Sequence, residues 1–89
     1  MPKKEERIRL WKYMCPPDVL TSEPLDYEWL GEIEMSGGEI KNAVLAGAFK
    51  AATMGKLLDT EVLYDAGVTE ASAAGRVMRH YDEDDDGFN

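Results

Sequence analysis

Disulfides are excluded from this chain of 89 residues, because it carries a single cysteine, Cys15. One thiol also excludes a cysteine-based zinc knuckle. No apolar run approaches the roughly 20 residues that a membrane span requires. The opening Met1-Pro2-Lys3-Lys4-Glu5-Glu6 lacks the apolar core of a signal peptide. A cytoplasmic chain without membrane contact is therefore expected. There is no Gly-x-x-x-x-Gly-Lys-Ser/Thr phosphate loop, and the length leaves no room for the sheet that would carry one. No catalytic residue and no metal ligand set is assigned. Positive charge is scarce as well: ten Lys and Arg stand against eighteen Asp and Glu, for a net charge of −8. Lys3, Lys4, Arg7, Arg9 and Lys12 make the one basic stretch, and Glu5 and Glu6 interrupt it. Nucleic-acid binding relies on clustered Lys and Arg that displace counterions, so no nucleic-acid partner is expected.

What remains is the composition of one small soluble domain, 44% apolar and 31% charged. The charge is uneven. Asp82-Glu83-Asp84-Asp85-Asp86 supplies −5 and everything before it only −3. Four segments carry a helical apolar pattern, which points to an all-α fold, a small four-helix bundle over residues 1–81, with an acidic disordered tail over 82–89.

The first helix is expected from about Lys3 to Met14, with Ile8, Trp11 and Cys15 on one face and Leu10 and Met14 on an adjacent one. Pro16 and Pro17 end it, since the residue before a proline is pushed out of the helical region. After a connector from Val19 to Pro24, a short second helix is expected from Asp26, a plausible cap, to Glu34, with Leu30 as inward anchor. Ser36-Gly37-Gly38-Glu39 is the most informative local signal. A Ser followed three residues later by a Glu is a capping box, in which each side chain satisfies a backbone N–H of the other residue. It opens a third helix, about Gly37 to Met54, with one apolar stripe of Ile40, Val44, Gly47, Ala48 and Ala51 and another of Leu45, Phe49 and Ala52. A helix apolar on most sides is expected to be central and buried. Gly55 closes it as a left-handed cap. The fourth helix is expected from Asp59 or Thr60 to roughly His80, with a bend or break near Gly67, and a short extended piece at Leu57-Leu58 precedes it.

The segment from Ser36 to Ala52, Ser-Gly-Gly-x-Ile-x-Asn-Ala followed by Ala-Phe-x-Ala-Ala, resembles the C-terminal helical lid of AAA+ ATPases. Arg7, Leu10, Trp11 and Pro16 fit the pattern that opens this lid, and Glu70 with Gly75-Arg76 fits its closing helix, so the resemblance covers about residues 2 to 78. It implies a lid that packs over the adenine of ATP or ADP, held with magnesium by a large α/β subdomain whose Walker motifs are expected upstream of Met1. Leu10 and Met14 would face the base, and Gly37 and Gly38 would lie against base and ribose, with Ser36 and Glu39 capping the helix. The implied partners are that large subdomain and neighbouring subunits of a ring that remodels proteins. Where many relatives carry a sensor arginine, this chain has Gly38 and Glu39, with Lys41 the nearest basic residue. A carboxylate at the helix start suits the macrodipole and repels phosphate, so base or ribose contact fits better there than γ-phosphate contact.

The residues also allow plainer roles. The capping box serves a core helix equally well, Leu10 and Met14 can be core, Cys15 is an apolar filler, and Arg7 and Arg76 either brace the fold or sit at an interface. Asp82, Asp84, Asp86 and Gly87 reproduce the first half of a calcium loop without its position-twelve Glu, so a solvated acidic terminus is expected instead of a metal site. The alternative function is a free-standing helical protein-interaction adaptor, with Trp11, Tyr13, Met14 and Trp29 as its anchors.

Overall fold

The computed structural model describes residues 1–15 and 21–75. The expected stop at Pro16-Pro17, the start of the connector at Val19, Arg76, the last turns of the fourth helix to His80, and the acidic tail lie outside the described residues. Among those described there are four helices and no strand: α1 (Lys4–Met14), α2 (Tyr27–Leu30), α3 (Gly37–Thr53) and α4 (Thr60–Ala73).

Each helix starts on a hydrogen bond that its sequence supplies. The Lys3 N–H donates to Glu6 Oε1 (2.9 Å) ahead of α1. Asp26 Oδ1 accepts from the Trp29 N–H (3.0 Å) at α2, and Asp59 Oδ1 from the Val62 N–H (2.9 Å) at α4. At α3 both halves of the capping box form, Glu39 N–H to Ser36 Oγ (3.2 Å) and Ser36 N–H to Glu39 Oε1 (2.8 Å). The ends are equally local. Cys15, before Pro16, is extended at ψ 113°. Gly55 takes φ +67°, and the Lys56 and Gly55 N–H groups return to the carbonyls of Ala51 and Ala52, a complete Schellman motif.

Two boundaries differ from expectation. α2 is one turn long instead of running to Glu34. After Leu30 the chain turns through Gly31 and Glu32 and then places Ile33 and Met35 two residues apart, both fully buried. That spacing is extended, so a continued helix would have carried one of the two away from the core. The buried guanidinium of Arg7 fixes the turn, its Nε donating to the Gly31 carbonyl (2.8 Å) and its Nη1 to that of Pro2 (2.7 Å). Arg7 is thus a brace. α4 ends at Ala73, followed by Gly75 at φ +92°, and it runs unbroken through Gly67. Gly67 is not a break but a close approach. A Cβ there would lie 2.8 Å from Ile33 Cδ1 and 3.4 Å from the Trp11 ring.

The helices pack around a four-cornered circuit, α1 against α2 and α3, and α4 against α2 and α3. A single parallel bridge, Thr21 to Leu58, ties the connector to the segment before α4, and the Ser22 N–H donates to the Leu58 carbonyl (3.1 Å). Trp11, Leu30, Ile33, Met35, Ile40 and Leu63 are fully buried. α3 is covered by α1 and α4, with Val44 buried, but the expectation that it is buried on most sides fails. Its first stripe is packed, but Leu45 is 60% exposed and Phe49 72%. The centre belongs to Trp11, whose fully buried ring reaches from α1 to Gly67 of α4.

Candidate functional site

The candidate site is the first turn of α3 and the side of α1 beside it. Helix geometry leaves the first N–H groups of a helix without a carbonyl one turn back. Ser36 Oγ takes the Glu39 N–H and the Ser36 carbonyl that of Ile40, so the N–H groups of Gly37 and Gly38 have no such acceptor within α3. Leu10 borders this turn: a Cβ on Gly37 would lie 3.7 Å from Leu10 Cδ1. Leu10 and Met14, one turn apart on α1, are both half-buried and packed against the core. The structure therefore brings Leu10 and Gly37 together, and Met14 stands one turn further along α1.

The two glycines are not explained by packing. Neither has positive φ, and a Cβ on Gly38 would approach nothing nearer than Ser36 Oγ at 4.0 Å. Alanine would fit at both places and favour the helix, since glycine within a helix costs up to about 1 kcal/mol relative to alanine. At Gly31 and Gly67, by contrast, a Cβ would meet Ile8 Cγ1 at 2.6 Å and Ile33 Cδ1 at 2.8 Å. The start of α3 is thus bare where the fold does not demand it. The turn presents N–H donors, an apolar wall at Leu10, and the carboxylate of Glu39 engaged in the cap, a surface that fits an uncharged heterocycle edge or a hydroxyl better than a phosphate.

Other candidates fall into place around it. The adaptor anchors do not form one surface: Trp11 has no exposed area, Met14 is half-buried, Tyr13 is 82% exposed, and Trp29 stacks on Tyr64 with centroids 4.2 Å apart. Cys15 is buried beside the Tyr27 hydroxyl, and burial pushes its thiol up, away from the reactive thiolate. Among the described residues no group of three or more His, Cys, Asp or Glu side chains could hold a metal. The calcium-like half-loop at 82–87 lies outside them. No helix among them is long and apolar enough to cross a membrane. The outer stripe of α3, Leu45, Phe49 and Ala52, was read from the sequence but expected to be buried, although Lys41 and Lys50 on its exposed side were a signal that solvent reaches it. Comparison with protein-family models, with curated proteins and with solved structures finds no match to this chain.

Proposed function

We propose that the chain is the helical lid of a AAA+ ATPase, which closes over the adenine of a bound nucleotide and passes the nucleotide state to neighbouring subunits of a protein-remodelling ring. The observation that carries this reading is the bare first turn of α3, with Gly37 and Gly38 at a helix start that has room for side chains, next to Leu10. The base would rest on Leu10 and Met14, and the ribose edge would approach the glycine N–H groups. Phosphate and magnesium ligands would come from a large α/β subdomain, because this chain has no phosphate loop. Alone it would hydrolyse no ATP. In the parent protein, ATP would hold lid and large subdomain together, and its loss would free the lid to move as a rigid body. The adaptor alternative has lost its largest anchor, since Trp11 is core.

Titration of ADP into isotope-labelled chain tests the reading through the amides of Leu10, Met14 and residues 36–40. With only the base-facing part present, binding is expected to be millimolar, about −4 kcal/mol. Micromolar binding would make the chain a nucleotide-binding module in its own right, and unmoved amides at about 10 mM ADP would remove the nucleotide role altogether.

A further inference from the structure

The bundle leaves one stripe of α3 uncovered, with Leu45 and Phe49 one turn apart, Ala46 and Ala52 exposed beside them, and Asn42 and Thr53 as its exposed uncharged polar residues. Apart from Glu39 in the cap, Lys41 and Lys50 are the only charged residues of α3; both are exposed, and neither is ion-paired among the described residues. On a chain of net charge −8 this face is apolar and positive. A second face has the opposite charge. α3 packs on α1 and α4 but not on α2, so α2 occupies the far corner of the bundle. There Trp29, 42% exposed, stacks on Tyr64 of α4. Asp26, at the start of α2, and Glu61 and Asp65, to either side of Tyr64 along α4, are exposed carboxylates. Two cations near this face are engaged: Lys4 is held by Glu28 (3.3 Å) and Glu32 (2.8 Å), and Lys12 Nζ lies over the Tyr27 ring, 5.7 Å from its centroid.

We propose that the protein associates head to tail with a second copy of itself, the Lys41–Leu45–Phe49–Lys50 face of α3 docking on the Trp29–Tyr64 stack and its carboxylates in the next copy. Each face offers what the other lacks, an apolar centre with charges of opposite sign at its edge. Pairing α3 with α3 would instead put the lysines of both copies into one contact. Because the two faces are different and lie at opposite corners, the contact is heterologous: each copy keeps one face free, so the assembly either closes into a ring or extends. The contact is small and belongs to the weak, salt-sensitive class. The inference rests on charge and exposure alone and stands whether or not the chain is a lid; the nucleotide titration and the association experiment fail separately.

Sedimentation velocity on the full chain, from about 10 μM to 1 mM and at about 50 and 500 mM salt, tests it. The expected result is concentration-dependent association that high salt weakens. Phe49→Glu and Asp65→Lys, both at exposed positions, should each weaken association at least about tenfold, with circular dichroism melts verifying that each variant folds. Mixed together, the two variants should form a one-to-one pair and nothing larger, because one intact face remains on each. A wild-type chain that is monomeric throughout overturns the proposal. So does association that Phe49→Glu abolishes and Asp65→Lys leaves intact, which would mean that α3 pairs with itself. Association that emerges only when residues 76–89 are removed also overturns it, since the chain's own acidic end would then be what covers α3.

Discussion

Two regions of this small bundle use glycine for opposite reasons. Around Trp11, where α1, α2 and α4 meet, Gly31 and Gly67 are places where a side chain has no room: Ile8 and Ile33 stand 2.6 and 2.8 Å from where a Cβ would be. At the start of α3, Gly37 and Gly38 have that room and leave it empty. The first pair is required by the fold and the second is not. At Gly37 and Gly38 a side chain would meet no steric bar, so packing within the bundle does not account for them.

The largest expected effect is at the packed centre. Trp11→Ala should destabilise the domain by about 3–5 kcal/mol, because it removes a fully buried ring and leaves a cavity at the meeting point of three helices. Denaturant unfolding measures it, and a loss below about 1 kcal/mol would show that Trp11 is not the centre. Gly67→Val comes next, at about 1–3 kcal/mol, since Ile33 and the indole would have to move to admit the side chain. An unchanged midpoint would erase the distinction between the two glycine pairs.

A smaller effect belongs to the cap of α4. Two interactions hold the Asp59 carboxyl below its ordinary value of 3.8, first the Val62 N–H and then Lys56. The unfolded chain therefore binds this proton more readily than the folded one. The stabilisation is present above about pH 4 and lost as pH falls through the folded value. Asp59→Asn keeps the acceptor and removes the titration, so its melting temperature should fall less steeply on acidification than that of wild type, a difference that thermal melts from about pH 6 to 2 would measure. Asp59→Ala removes the cap itself and should cost about 1 kcal/mol at neutral pH.

The smallest stability effect is the most telling for function. Gly38→Ala should be neutral or stabilise the chain by up to about 0.5 kcal/mol, while reducing the ADP-induced shifts of residues 36–40. If it instead destabilised the bundle as Gly67→Val does, the glycine would be structural and the site reading would lose its support.

Much of the helix punctuation could be read from the sequence, because caps are local chemistry. Ser36 with Glu39, Asp26, Asp59 and Gly55 each act within about four residues of themselves, and each bond formed where the residue types placed it. The extended piece at Leu57-Leu58 was also anticipated, but its bridge from Leu58 to Thr21 was not. The length of α2 was not legible. Tyr27, Leu30 and Ile33 keep helical spacing, but Arg7 and Ile8 of α1 hold the Gly31 turn, and the burial of Met35 needs the chain to leave the helix. Gly67 looked like a weak point for the same reason, since a glycine opposite an indole has the same letter as a glycine at a bend.

By itself the sequence determined that this chain is helical, where the helices begin, and that no catalytic phosphate loop lies within it, because periodicity, caps and motifs are properties of neighbouring residues. Only the tertiary structure decided which of α3's two apolar stripes is core. Both are apolar and both repeat at helical spacing, but a helix at the corner of a four-sided bundle has neighbours on two sides only. The stripe of Ile40, Val44 and Ala51 faces them, and Leu45 and Phe49 face away. Burial is set by where the other helices lie, and no local pattern carries that information.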